Sequence, residues 1–439
     1  MREVPPRQAV PAGEFSFKQE AVMAKRKAAG GSKKKSTRKS KKKGADKEVP
    51  RLDMVDPSLD SLSSDMGMRS QDDYVVEGPF VPYLPLQYMF ATNILPLHRV
   101  FLVTGPESSG KTALCLEFAR MVMNAGGPVF YWDTENKFSD TLNESLFHDV
   151  PNWKSLWKYK ECEVMDTWTQ GIIKLCRGLR GQKYRFPVMI IVDSFMGVLT
   201  QDHLDKVFTQ GDVASRSYSE ESLKASKLMR FLSGVLPHVP VVCFFTNHIL
   251  TNLGEMHDKG RKPGGKSQCY RCVSELKLNK LSDKSLKRNG FRVKAVLAKS
   301  GTGPDDRKIE VRFTWKGVDG VQVSSWNWMR ATCDMLSSMD AEELGDVVKV
   351  EYGASGRWYC AQASDKQMYP EDLGREIHNN EQLMSSIQKQ LCIRKRAVLG
   401  KEWSDFDLGG LNTEEEKASS ADEDDFDSMD DMLETLEDE

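Results

Sequence analysis

The sequence predicts an α/β fold in which a mostly parallel central sheet lies between helices. Three observations carry this. Apolar runs of strand length recur along the middle of the chain, at Arg99 to Thr104, Pro187 to Asp193 and Val239 to Thr246, and strands buried on both faces of a parallel sheet read this way. Segments of helical spacing, Ala113 to Val122 and Glu220 to Leu236, alternate with them, as in a sheet sandwiched by helices. The runs close on polar groups at Asp193 and at Asn247-His248, where active residues gather at the C-terminal edge of such a sheet.

The first run leads into GPESSGKT, Gly105 to Thr112, and Ala113, Leu114, Leu116, Phe118, Ala119, Met121 and Val122 follow as a largely buried helix. The octet fits G-x-x-x-x-G-K-[ST] in the strand–loop–helix setting that a phosphate-binding loop requires. Gly105, Pro106, Glu107, Ser108, Ser109 and Gly110 are expected to curl backbone N–H groups around phosphates. Lys111 is expected to meet the β and γ oxygens and Thr112 to hold Mg2+. ATP and Mg2+ are therefore the expected cofactors.

Further along, Pro128 to Asp133 reads as a strand ending at Asp133-Thr134-Glu135. Glu135 is the candidate general base, because hydrolysis of a phosphoanhydride needs a carboxylate that orients water. Asp193, closing PVMIIVD, fits the second nucleotide motif, whose carboxylate orients the water shell of Mg2+. His248 is a candidate to sense a γ-phosphate by hydrogen bonding, with a structural strand-end histidine as the competing reading. Val273 to Leu278, Arg292 to Ala298 and Ile309 to Trp315 carry charges at alternate positions, which suits more exposed strands. Gln201 to Glu220 and Ile249 to Gln268 are polar and glycine-containing, and both read as loops. The second holds Lys259, Arg261, Lys262 and Lys266 around Pro263-Gly264-Gly265, a cationic strip suited to a phosphate backbone.

The 439 residues carry a net charge of only -2, which hides an asymmetry: Lys25 to Lys47 is dominated by Lys and Arg, and Glu414 to Glu439 by Asp and Glu. Such blocks repel themselves and are expected to be disordered interaction tails. The basic arm lacks aromatics, so it suits phosphate neutralisation without sequence readout; a nuclear-import tag and a solvated tail are the competing readings. Nine cysteines are scattered, and only Cys269 and Cys272 have metal-ligand spacing. With no second pair for a four-ligand zinc site, reduced thiols of an intracellular protein are expected. No run reaches the roughly eighteen apolar residues of a membrane span, so a soluble, cytosolic protein is expected.

These motifs resemble one family. GPESSGKT is identical to the octet of bacterial RecA, LPLHRV before it resembles LPMGRI, DTEN resembles DAEH, and IIVDS resembles VVVDS. PGGKSQCYRCVSELKL resembles the second DNA-binding loop and following strand of RecA, and ELGDVVKVEYGASGRWY resembles its small C-terminal region. The likeness covers roughly Gly78 to Leu399. It is closest in flavour to the UvsX group of phage recombinases, which also place His where RecA has Gln, as at His248, and carry an acidic tail. FATN replaces the glycine-rich turn before the first strand, and the first loop departs from the family's pattern.

The resemblance implies a RecA-type P-loop ATPase core at 76–330 with two DNA-binding loops, a small C-terminal α+β region at 331–400, a basic arm and linker at 1–75 and an acidic tail at 401–439. It implies a DNA-dependent ATPase that forms helical filaments on single-stranded DNA and exchanges that strand into duplex DNA, in bacterial or phage-infected host cytoplasm. By motif, Lys111 and Thr112 bind phosphate and Mg2+, Glu135 is the base and Asp193 the Mg2+-shell carboxylate. His248 links the γ-phosphate to the DNA loop, whose Lys259, Arg261, Lys262, Gly264, Gly265 and Lys266 meet DNA. Lys299 matches a lysine that reaches the ATP of the adjacent protomer; the companion position is Leu297. Arg292 and Lys294 match a secondary DNA site. A single-strand-binding or mediator protein is an expected partner of the acidic tail, through Phe426, Met429, Met432 and Leu433. A hexameric helicase and a non-catalytic accessory paralogue are the alternatives.

Overall fold

The computed structural model describes residues 76–399 apart from 138, 181, 183, 185, 211–217, 250–262, 264–266, 287–288, 319–320 and 354–355. All of these lie in the second of two units, Ser70–Glu439. The elements begin with β1 (Glu77–Gly78), α1 (Leu84–Phe90), β2 (Arg99–Gly105), α2 (Lys111–Asn124), β3 (Val129–Asp133), α3 (Asp140–Phe147), α4 (Trp153–Leu156), β4 (Trp157–Glu161), α5 (Met165–Leu179) and β5 (Val188–Asp193). Next come α6 (Gln201–Gln210), α7 (Tyr218–Val235), β6 (Val241–His248), α8 (Ser267–Arg271), β7 (Ser274–Leu281), β8 (Gly290–Lys299), β9 (Lys308–Val318) and β10 (Val321–Trp326). The C-terminal region holds α9 (Trp328–Ser338), α10 (Ala341–Leu344), β11 (Glu351–Tyr352), β12 (Trp358–Cys360), β13 (Ser364–Met368), α11 (Pro370–Asn379), α12 (Glu381–Gln390) and β14 (Ala397–Val398).

The described residues build a nine-stranded sheet in the order β10-β9-β8-β7-β2-β6-β5-β3-β4. From β4 to β7 every neighbour is parallel; β7 to β10 form an antiparallel meander. The expected mixed α/β architecture, mostly parallel and flanked by helices, is the observed one. Every residue of β5 is buried, as are the first seven of β6, because helices cover both faces.

Alternation along the strands feeds two cores. Phe101 and Val103 of β2 and Phe244 of β6 join the cluster around α2, while Val100, Leu102 and Phe245 face the cluster of α5 and α7, as a side-chain period of two requires. Phe244 stacks on Phe101 at 4.8 Å and 7° and lies 4.8 Å from Phe118 of α2. On the opposite face Phe245 stacks on Phe195, and Trp168 packs on both.

The C-terminal region extends the first of these cores rather than building its own, since Trp328, Ala331, Leu373 and Ile377 belong to the same cluster as Phe101. Hydrogen bonds tie it to the start of the described chain: β1 pairs with β14 in parallel, and the Leu84 N–H donates to the His378 side chain at Nε2, 3.2 Å away. Among the described residues no helix is long and apolar enough to cross a membrane.

The strands expected around the motifs form within a few residues of their expected ends, and α7 matches the helical spacing read from Glu220 to Leu236. The reading of Gln201 to Glu220 as a loop is corrected, because Gln201–Gln210 is a helix. The Thr200 hydroxyl accepts the His203 N–H at 3.3 Å, and His203 is buried 3.4 Å from Glu221 of α7. The helix therefore rests on a cap and a tertiary contact that its polar composition does not announce. The strands β7 to β9 are more buried than expected, with Val293, Ala295, Leu297, Ile309, Val311 and Phe313 in the core.

Phe244 joins three rings across the sheet–helix interface, so Phe244→Ala should cost about 3–5 kcal/mol. A lower urea midpoint for loss of far-UV ellipticity is the expected outcome; an unchanged midpoint would show that the ring stack does not hold α2 to the sheet.

Candidate functional site

The loop after β2 is shaped by two glycines that tolerate no side chain. A Cβ on Gly105 would lie 2.5 Å from the Leu278 carbonyl oxygen, and Gly110 combines φ 88° with the Phe291 ring 2.9 Å from where its Cβ would stand. Gly110 is the N-cap of α2 and offers no side-chain acceptor, which leaves first-turn N–H groups open to an anion. The Ser109 Oγ is buried without a hydrogen-bond partner. Lys111 is 7% exposed and donates to the carbonyls of Gly105 at 3.1 Å and Pro106 at 2.8 Å. Burial pushes its ammonium pKa down, against the nearby carboxylates of Asp193 and Glu135. A buried ammonium resting on neutral carbonyls, beside an orphaned hydroxyl and open N–H groups, fits a nucleotide's phosphates.

Asp193 ends β5 and is 6% exposed. Its Oδ2 accepts hydroxyls from Thr112 at 2.5 Å and Tyr131 at 2.9 Å, and its Oδ1 accepts Thr246 at 2.5 Å. A buried carboxylate is tolerable when donors surround it in this way. Burial, and then the Asp193 charge, push the Tyr131 phenol well above its ordinary pKa, so it stays a donor. The pairing of the Thr112 hydroxyl with Asp193 is a donor set that fits Mg2+ with one carboxylate acting through water. On the outer side of Asp193, the Thr134 hydroxyl bridges the Ser194 carbonyl and N–H, each at 2.7 Å.

Glu135 lies two residues beyond β3, its N–H held by Asp133 Oδ1 at 3.0 Å. Its Oε1 is 2.6 Å from His248 Nε2, and its Oε2 is 2.6 Å from Lys137 Nζ. The His248 hydrogen bond, then those of Lys137 and Ser194, hold its pKa well below the usual carboxylate range despite partial burial. His248 closes β6 directly opposite Gly105. Its neighbour Asn247 donates to Gln268 Oε1 at 2.9 Å and to the Pro263 carbonyl at 3.1 Å, and Gln268 donates to Pro263 as well. A continuous set of polar contacts thus runs from Glu135 through the end of β6 to Pro263 and α8.

The structure brings together Lys111, Thr112, Asp193, Glu135 and His248. Lys259, Arg261, Lys262, Gly264, Gly265 and Lys266 lie outside the described residues. The Lys299 ammonium donates to the carbonyls of Cys269, Tyr270 and Cys272 at 2.8, 3.0 and 2.5 Å, closing the C-terminal end of α8. Arg292 bonds Glu310 at 2.5 Å, and Lys294 faces the same Glu310 across the β8–β9 pair. Sequence reasoning missed Tyr131, Thr246, Lys137 and Gln268, and gave Asn247 no role beyond its place at a strand end. The usable signal was a hydroxyl inside an otherwise apolar strand, in VFYWD and VVCFFTNH.

No family model matches the chain. It is similar to proteins named RecA: 25% identical to that of Chloroherpeton thalassium over 279 residues, 61% of this chain and 72% of the relative. It is 24% identical to that of Aquifex pyrophilus over 294 residues, 65% of this chain and 74% of the relative. With that of Chlorobaculum tepidum the match spans 356 residues at 22% identity, 78% of this chain and 92% of the relative. None of these three carries the UvsX name, and the loop, the Asp193 and Glu135 carboxylates and the mostly parallel sheet accord with this similarity to RecA.

Proposed function

We propose that the chain is an ATP-dependent DNA recombinase that forms helical filaments on single-stranded DNA and catalyses homologous pairing and strand exchange in recombination, repair and recombination-dependent replication. The observation that carries the proposal is the 2.6 Å contact of Glu135 with His248, because His248 adjoins the Asn247–Gln268–Pro263 contacts. A γ-phosphate drawing on His248 would be felt at the segment that holds Lys259, Arg261, Lys262 and Lys266. Nucleotide state and DNA grip are then two readings of one hydrogen-bonded unit.

In this reading Lys111 and the loop N–H groups hold phosphates, Thr112 binds Mg2+, and Asp193 orients its water shell. Glu135 orients the attacking water. Lys299 would have to leave the end of α8 to reach a neighbouring protomer's ATP, a step that filament contacts would drive. Arg292 and Lys294 form the secondary DNA site, with Glu310 competing for both charges. The UvsX-like features are His248 and the acidic tail, which would also dock a single-strand-binding or mediator protein. The core at 76–330, the small region at 331–400 and the tails at 1–75 and 401–439 are the corresponding domains.

Lys111→Ala should abolish ATP turnover with an unchanged circular dichroism spectrum, whereas Glu135→Gln should retain ATP and hold filaments on single-stranded DNA under the electron microscope. Turnover by Lys111→Ala within a few-fold of wild type would remove the ATPase; closed rings or bare DNA would remove the filament. Neutralising Lys259, Arg261, Lys262 and Lys266 should reduce the log–log salt slope of single-strand binding by up to about 0.7 for each phosphate that is no longer neutralised. Deleting residues 414–439 should tighten DNA binding at low salt. An unchanged slope, or equal affinity without the tail, would dismiss the respective role.

A further inference from the structure

Lys137 has no part in the proposed recombinase chemistry so far, yet its position is not that of an ordinary surface lysine. Asn136 has φ 51°, a left-handed turn that folds the chain back after Glu135 and sets the Lys137 ammonium 2.6 Å from Glu135 Oε2. The Lys137 side chain is 62% exposed, against 16% for Glu135. After Glu135, the charges acting on Lys137 are Glu107 of the phosphate loop and Asp193, and its own charge acts on Lys111. Its ammonium is thus paired with Glu135 and within electrostatic reach of the phosphate loop and Asp193. The ammonium groups of Lys111 and Lys299 rest instead on backbone carbonyls.

A carboxylate oxygen already paired with an ammonium is a weaker acceptor for the attacking water, although each oxygen has two lone pairs. Both oxygens of Glu135 are engaged, Oε1 by His248 and Oε2 by Lys137. His248 is fixed at the end of a buried strand, whereas Lys137 sits on a flexible four-carbon stem with three rotatable donors. A γ-phosphate between Lys111 and Glu135 is a stronger anion than one carboxylate and draws the mobile cation towards it.

Resting on the ATPase reading, we infer that Lys137 is a further catalytic residue, whose ammonium leaves Glu135 for the γ-phosphate, opening Oε2 to the attacking water and supplying charge from within the same chain. In the step that follows, the water oxygen bonds to the γ-phosphorus, and the bond to the β–γ bridging oxygen breaks with its electron pair onto ADP. The water proton passes to Glu135 and then to the released phosphate. Lys137 stays protonated throughout and offsets charge on the γ oxygens.

The test compares wild type, Lys137→Met and Lys137→Arg by DNA-stimulated ATP turnover, affinity for a fluorescent ATP analogue and thermal midpoint. Expected for Lys137→Met is a kcat lower by about a hundredfold, with analogue affinity within about threefold and an unchanged midpoint; Lys137→Arg should recover most of the rate. Acylation of Lys137 by an amine-reactive ester, followed by mass spectrometry, should fall with a non-hydrolysable ATP analogue and not with ADP. A Lys137→Met rate within twofold of wild type marks a plain surface ion pair, and a raised rate marks a restraint on Glu135; either overturns the inference while the ATPase reading stands. A wild-type chain that hydrolyses no ATP overturns both.

Discussion

The register of the parallel strands is the constraint on which the site depends. Pairing of β2 with β6 sets Gly105 against His248, and pairing of β3 with β5 sets Asp133 against Asp193. Because side chains alternate, Tyr131, Asp193 and Thr246 project to the same side as Ile191 and Phe244, the face covered by α2. Thr112 meets them from the start of that helix, and the carboxylate receives three hydroxyls from three elements. A one-residue slip of β3 or β6 would turn its hydroxyl into the opposite core, leaving the buried carboxylate one donor short.

The helix that delivers Lys111 and Thr112 is fixed from behind by Trp326 of β10 and by Trp328 at the start of the C-terminal region. Glu117, buried in the middle of α2, accepts the Trp328 indole N–H at 3.1 Å and Arg120 at 3.2 Å, and the Trp326 indole donates to the Ala113 carbonyl at 3.1 Å. Arg120 also reaches Tyr83 and Asp149. Burial pushes the Glu117 carboxyl above its ordinary pKa, opposed by Arg120 and the Trp328 hydrogen bond. Removing one donor would strand a buried acid beside the nucleotide helix. The small region that closes over α1 and α2 is therefore part of what holds the phosphate loop in place, although it contributes none of the groups assigned to phosphate.

What the sequence made legible was whatever backbone geometry or burial imposes on residue type. The octet could be read because Gly105 and Gly110 admit no Cβ, and β5 because a strand buried on both faces has no room for polar residues until its end. The helix Gln201–Gln210 could not be read because its stability comes from Thr200, His203 and Glu221 meeting across the fold. The edge strand Trp157–Glu161 escaped because only its first residue is buried and the rest, KYKE, looks like surface. The hydroxyls around Asp193 escaped for the opposite reason: Tyr131 and Thr246 are ordinary members of apolar strands until the three-dimensional register aims them at one carboxylate.

The two hydrogen-bonding partners of Glu135 also bear on how the site responds to pH. A carboxyl whose folded pKa is depressed contributes stability that is present above its unfolded value, about 4.3 for a free Glu, and lost as pH falls through the folded value. With His248 and Lys137 lowering it, Glu135 remains ionised across the neutral range. On the proposed ATPase reading, ionisation of Glu135 would then not limit its use as a base near neutrality; competition of His248 and Lys137 for its oxygens would. The groups paired with it are the His248 imidazole, next to the Asn247–Gln268–Pro263 contacts, and the Lys137 ammonium. On the proposed recombinase reading, that arrangement would make nucleotide, through charge, and DNA, through the end of β6, joint conditions for freeing one carboxylate.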